Sequence, residues 1–333
     1  MVASPHPENA LCRDARVRVP LICGAMYPCS NPELVGAVSE AGGIGIVQPA
    51  TLAVAHGLDL RAGLRRIRGL TDRPVGMNAL IESSSRAHHE RMVRWVDAAL
   101  DEGIRFFVTS LGKPGWVVER VGAVGGVVYH DVTERVWAEK ALDVGVHGLI
   151  AVNRRAGGHA GPRSAMELLD ELGGLGVPVV CAGGVATPEE FAEALRAGYA
   201  GVQMGTRFIA THECDASAAY KQALLDAREE DVVLTERVTG VPLAVLDTPY
   251  VRRIGTKAGP LARWMLRGRR TKRLARSLYA MRAAWRLRRD ARQESGPAEY
   301  WQAGRSVGGI HEILPAGEIV RRCAEAAGFP TCA

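Results

Sequence analysis

The chain has no CxxC pair, and its seven cysteines, Cys12, Cys23, Cys29, Cys181, Cys214, Cys323 and Cys332, are odd in number and scattered. Such spacing indicates neither a disulfide framework nor a zinc site, so the thiols read as mostly buried and metal binding is not expected. No apolar run approaches the roughly 20 residues that cross a bilayer. The first residues, among them Pro5, His6, Pro7, Glu8 and Asn9, lack the apolar core of a secretory signal. A cytoplasmic location without a membrane span is the expectation. Also missing is a glycine fingerprint placed after a strand, as a doubly wound dinucleotide fold requires. Gly42, Gly43 and Gly45 precede a strand and read as a helix stop.

What is present is ordinary globular material: 333 residues, 47% hydrophobic and 23% charged. That length accommodates two domains or one α/β barrel with an addition. Short apolar runs recur at Val17 to Cys23, Gly43 to Val47, Pro74 to Asn78, Ile104 to Thr109, Gly125 to Tyr129, Gly148 to Val152, Val177 to Cys181 and Gly201 to Met204. Amphipathic stretches lie between them, including Pro32 to Ala41, Ala87 to Glu102, Glu134 to Asp143 and Pro188 to Ala197, the last opened by Thr187 as N-cap. Strands apolar on both faces, alternating with helices, call for a parallel sheet covered by helices. Eight such units favour a closed (β/α)8 TIM barrel over an open doubly wound sheet. We place the barrel at 1–238, a basic helical insertion at 239–300 and a C-terminal segment returning to the barrel at 301–333.

In such barrels the ligand lies at the carboxyl ends of the strands. Those ends offer Gly24, Ala25 and Met26 after strand one, Asn78 on strand three, a loop with Lys113 after strand four, and His130 after strand five. Strand six leads into Gly157, Gly158 and His159, strand seven into Gly183 and Gly184, and strand eight, carrying Gln203, into Gly205 and Thr206. The two glycine turns suit a phosphate held by backbone N–H groups and a helix N-terminus. A histidine among small residues at a strand end can exchange a proton near neutral pH. Asn78 and Gln203, amides in apolar strands, need partners that a heteroaromatic ring could supply.

Taken in order, Gly24-Ala25-Met26, Ala156-Gly157-Gly158-His159, Ala182-Gly183-Gly184-Val185 and Gly201 through Phe208 resemble the nitronate monooxygenase family, formerly the 2-nitropropane dioxygenases. The sister group of FMN-dependent enoyl-acyl carrier protein reductases is similar as well. The resemblance implies an FMN-binding barrel in which Ala25 and Met26 lie against the flavin and Asn78 bonds its edge. Gly183, Gly184, Gly205 and Thr206 would hold the phosphate, and His159 would be the catalytic acid/base. It also implies oxidative denitrification of a small alkyl nitronate with O2, or, in the sister group, NAD(P)H-dependent reduction of an enoyl thioester. A flavin- or acyl-carrier-binding protein without turnover is the third reading.

The chain departs from the family pattern in having Ala25 where proline is usual, Arg154 and Arg155 where an acidic residue precedes the Gly-Gly-His stretch, and Arg305 where glutamine is common. These departures bear on the substrate more than on the cofactor, and cations beside His159 would lower its pKa. His130, Lys113, Arg155 and Arg305 are the candidates for the substrate pocket.

The net charge of +6 is concentrated between Arg263 and Arg292, where arginines flank an apolar stripe that includes Leu261, Trp264, Leu278 and Trp285. Two amphipathic helices separated near Gly268 are expected. Their apolar face requires cover from the barrel or from a second subunit of a homodimer. The charge suits an acidic partner such as an acyl carrier protein, the phosphate of a coenzyme A ester or a membrane surface. No recognised nucleic-acid-binding fold accompanies it.

Overall fold

The computed structural model of the protein describes residues 9–81, 86–238, 240–258, 285–290 and 300–331. Eight parallel strands close a barrel in sequence order: β1 (Leu21–Cys23), β2 (Ile44–Val47), β3 (Gly76–Leu80), β4 (Phe106–Ser110), β5 (Val127–Val132), β6 (Gly148–Val152), β7 (Val179–Ala182) and β8 (Gly201–Met204). β8 pairs with β1 to complete the ring, Gln203 beside Ile22. The architecture is therefore the TIM barrel expected from the eight apolar runs.

The absence of alternation in those runs has a direct cause: each strand buries both faces. Ile22, Ile44, Ile46, Phe106, Val108, Tyr129, Ile150 and Val180 pack inside the ring. Their neighbours Leu21, Cys23, Met77, Phe107, Val128 and Leu149 pack outward against the helices. A first helix, α1 (Ala10–Ala15), closes the amino-terminal end, where Leu11 and Ala15 join the inner cluster. The Tyr129 hydroxyl donates to Asp14 at 2.9 Å on that side. The helix at Pro188–Ala197 starts where its sequence says it should. Thr187 accepts from the Glu190 N–H, Glu190 reaches back to the Thr187 N–H, and Pro188 fills the first turn.

β5 differs from expectation. It was anticipated to end at Tyr129 and instead runs to Val132, because Asp131 and Val132 pair with Ile150 and Ala151 of β6. Two polar residues inside a strand hid its last turn of pleat.

Beyond the barrel, an antiparallel hairpin of β9 (Val232–Thr235) and β10 (Leu243–Leu246) reaches back to the carboxyl end of β6, where Ala244 bridges Gly158. β10 also bridges Gln302, so the chain from 300 onward returns to the same place. A last helix, Ala316–Ala326, then packs against the helices Pro32–Glu40 and Pro188–Ala197. Most of the arginine-rich segment, including Arg263, Arg267, Arg270, Arg273 and Arg282, lies outside the described residues. Residues 285–290 are helical, and buried Asp290 accepts from the Tyr300 N–H at 2.7 Å. No helix among the described residues is long and apolar enough to cross a membrane.

Candidate active site

Strand alternation decides which residues face the barrel's carboxyl-terminal mouth. Gln48, Leu80, Ser110, Asp131, Val152 and Gln203 stand at the inward positions where burial gives way to partial exposure. One layer below, Ile46, Asn78, Val108, Tyr129 and Ile150 are buried and form the floor. Asn78 therefore faces inward beside Val108, at 6% exposure.

The loop after β6 carries Gly157, Gly158 and His159, and buried Asn153 fixes its path. The Asn153 amide donates to the Gly183 carbonyl at 2.8 Å, and its Oδ1 accepts from the Arg155 N–H at 2.8 Å. The loop sits so close to the β7 turn that a Cβ at Gly183 would lie 2.5 Å from the Ala156 nitrogen. Gly183 and Gly184 also take φ of 112° and 80°, values that L side chains rarely adopt. On its other side the loop meets the C-terminal segment. The Ala244 N–H donates to the Gly158 carbonyl at 2.8 Å, and the Arg305 N–H to the Arg155 carbonyl at 2.9 Å.

Met26 and Gly205 face each other, with a Cβ at Gly205 placed 3.5 Å from the Met26 sulfur. Ala25 packs on the inner cluster, and Gly24 leaves room for Gln203, whose Cγ would lie 3.0 Å from a Cβ there. The Thr206 hydroxyl accepts from the Gly304 N–H at 2.9 Å and keeps its own proton to donate. Among the side chains singled out from the sequence, two have a buried polar atom with no hydrogen-bond partner: Gln203 Oε1 and Arg155 Nε. Arg155 lies across Gly184 and forms an ion pair with Glu229.

The structure separates the remaining candidates. Lys113, on a loop, and Arg305, at the start of the 3-10 helix Arg305–Gly309, are exposed at this end. His130 lies within β5 and turns away from the mouth, its ring 2.8 Å from Thr109 Oγ1. The Thr109 proton goes to the Tyr129 carbonyl, so His130 Nδ1 is the donor of that pair. Burial lowers the His130 pKa to about 4. His159 touches solvent in the open mouth, yet the protein around it lowers its pKa as well. Desolvation is the cause, not the two arginines. Arg155 is committed to Glu229, and the charge of Arg154 acts on Glu167.

One residue escaped the sequence reading. Asp131 is the inward-facing residue of β5, its Oδ1 buried without a partner, and burial raises its pKa to about 7. The signal was Val132, whose return to an apolar side chain extends the strand and puts Asp131 in register with inward Ile150.

These residues fit a flavin. Gln203 Oε1 is an acceptor awaiting an N–H, Arg155 Nε is a donor awaiting an acceptor, and Gly24, Met26 and Gly205 bring no charged side chain to the site. Among the described residues no cluster of His, Cys, Asp or Glu could hold a metal ion.

Three likenesses to known proteins agree with this geometry. A Mycobacterium tuberculosis protein, (3aS,4S,5R,7aS)-5-hydroxy-7a-methyl-1-oxo-octahydro-1H-indene-4-carboxyl-CoA dehydrogenase, is 31% identical over 239 residues, 71% of this chain and 65% of that protein. The nitronate monooxygenase of Pseudomonas aeruginosa is 28% identical over 67% of this chain and 75% of its own length. The structure of FabK from Thermotoga maritima superimposes with a TM-score of 0.78 at 27% identity, covering 96% of this chain and 95% of that one. The sequence profile of nitronate monooxygenase matches residues 9–325. With an eight-stranded barrel, a histidine loop stapled to the glycine turn of β7, and that match along nearly its whole length, the chain belongs to the nitronate monooxygenase family of oxidoreductases.

Proposed function

We propose that the protein is an FMN-dependent oxidoreductase acting on an acyl thioester of coenzyme A or of an acyl carrier protein. The observation that carries the FMN assignment is the pair of orphaned buried atoms, Gln203 Oε1 on the side chain that packs beside Gly24 and Arg155 Nε over the Gly184 turn. Gln203 Oε1 would accept from a ring N–H, while Arg155 Nε, Thr206 Oγ1 and the turns at Gly183 and Gly184 would hold the phosphate. Bound there, FMN supplies a two-electron donor and acceptor that no side chain offers.

His159, kept neutral at pH 7 by its lowered pKa, stands ready to take a proton from substrate and to return one. Lys113 and Arg305 supply exposed cations for the phosphates of the thioester's handle, away from the reacting centre. The resemblance to a carboxyl-CoA dehydrogenase supports this substrate class. A second reading, oxidative denitrification of an alkyl nitronate with O2, is favoured by the likeness to the Pseudomonas aeruginosa enzyme and by the same neutral imidazole.

Anaerobic bleaching separates the readings. Bleaching by NAD(P)H with return of colour on adding crotonyl-CoA supports the thioester. Bleaching by propane 2-nitronate alone selects the monooxygenase. A purified protein that takes up no FMN sinks both.

A further inference from the structure

Asp131 is the one carboxyl that strand alternation turns into the mouth from the barrel wall. Its Oδ1 is buried and has no hydrogen-bond partner, a condition that costs free energy in a folded protein unless the group meets a ligand. No element packed against it supplies a counter-charge. β4 offers Thr109 and Ser110, β6 offers Ile150 and Val152, and Thr133 above it meets Gly161. The next residue, His130, faces outward and is neutral. Glu134 and Arg135 open the following helix, where Arg135 binds Glu139. Of the other charged or titratable groups at this end, Arg155 pairs with Glu229, Lys113 and Arg305 are exposed to solvent, and His159 is neutral at pH 7. A carboxyl in this position is stable while protonated, and burial alone accounts for its raised pKa.

We propose that Asp131 is the specificity residue of the site: a carboxyl that binds a neutral polar group of the substrate through a hydrogen bond in either protonation state and rejects an anionic one once it is ionised. Protonated, it donates to a carbonyl; ionised, it accepts from a hydroxyl or amide N–H. An anion gains the first contact and is repelled in the second state. This deepens the function proposed above, on which it rests only in taking the mouth as the substrate pocket. A thioester carbonyl is neutral, whereas a nitronate carries its charge at the reacting group.

The test uses the FMN-loaded protein and two isosteric probes, crotonamide and crotonate, whose charges stay fixed between about pH 6 and 9. Binding is followed by calorimetry, so turnover plays no part. In the wild type, crotonate affinity should fall about tenfold per pH unit above pH 7 or so, reaching about a thirtyfold loss near pH 8.5. Asp131→Asn should abolish that slope and bind crotonamide within a few-fold of wild type. Asp131→Leu should weaken crotonamide about tenfold or more while leaving FMN bound.

Parallel crotonate profiles in wild type and Asp131→Asn would overturn the assignment, as would undetectable crotonamide binding or wild-type crotonamide affinity in Asp131→Leu. Should the leucine variant fail to fold, the comparison of wild type with Asp131→Asn decides alone. A protein that shows the predicted profile but leaves crotonyl-CoA unreacted refutes the thioester reading and retains Asp131 as the specificity residue.

Discussion

Asn153 and Gly183 are joined by a 2.8 Å hydrogen bond from side-chain amide to carbonyl, which ties the histidine loop of β6 to the glycine turn of β7. Because Asn153 is 1% exposed, neither Gly183 nor Arg155 finds water when the amide is removed. Asn153→Ala is expected to lower stability by about 1–3 kcal/mol and to release flavin more readily. Thermal unfolding together with fluorescence of the freed flavin measures both effects. Unchanged flavin retention would show that the staple does not organise the site.

His159 follows the loop's glycines, and none of the contacts assigned to FMN is made by its side chain. His159→Gln should therefore keep the yellow colour and FMN affinity and lose about 10²–10⁴-fold in turnover, the usual worth of a positioned acid/base. Steady-state kinetics on flavin-matched samples decide the point. Full activity would remove the role assigned to the imidazole.

Arg155 should distinguish phosphate from ring. Arg155→Met leaves the contacts to the flavin ring intact and removes the orphaned Nε and the cation at the Gly184 turn. FMN affinity is expected to fall about tenfold or more while riboflavin affinity changes little. Equal losses for both would mean that the side chain serves only the loop and its pairing with Glu229.

Gly304 and Gly122 form a matched pair of tests. A Cβ at Gly304 would lie 2.6 Å from the Gly157 nitrogen, whereas one at Gly122, at the end of a helix, meets nothing within 4 Å. Gly304→Ala should cost about 1–3 kcal/mol and disturb the histidine loop. Gly122→Ala should be neutral or stabilising by up to about 1 kcal/mol. Chemical denaturation of the two variants checks the contrast.

His130 predicts the behaviour in acid. Its pKa falls from 6.5 to about 4 on folding, so between those values the unfolded chain binds the extra proton. Stability is thus fully present above about pH 6.5 and is lost as pH falls toward 4, by up to about 3 kcal/mol from this residue. His130→Asn should flatten that part of the stability curve. An unchanged curve would show that the ring is already solvated in the fold.

The barrel was legible in the sequence because eight doubly apolar runs separated by amphipathic stretches favour a closed ring over an open doubly wound sheet, and Thr187, Pro188 and Glu190 specify a helix start by local chemistry alone. The glycines of the strand-end turns were legible for a similar reason, since close backbone approach there admits only small residues. Register was not legible. Whether β5 ends at Tyr129 or Val132 depends on pairing with β6, and that pairing decides that Asp131 faces the mouth while His130 faces the helices.

Nor could the chain's order reveal that Arg155 turns to Glu229, 74 residues away, or that Asn153 reaches Gly183. Sequence periodicity sets which faces are buried, so it determined the fold and the strand ends where chemistry collects. Hydrogen bonds and charge pairs between distant segments form only once the ring closes, and these decided which side chains the site possesses.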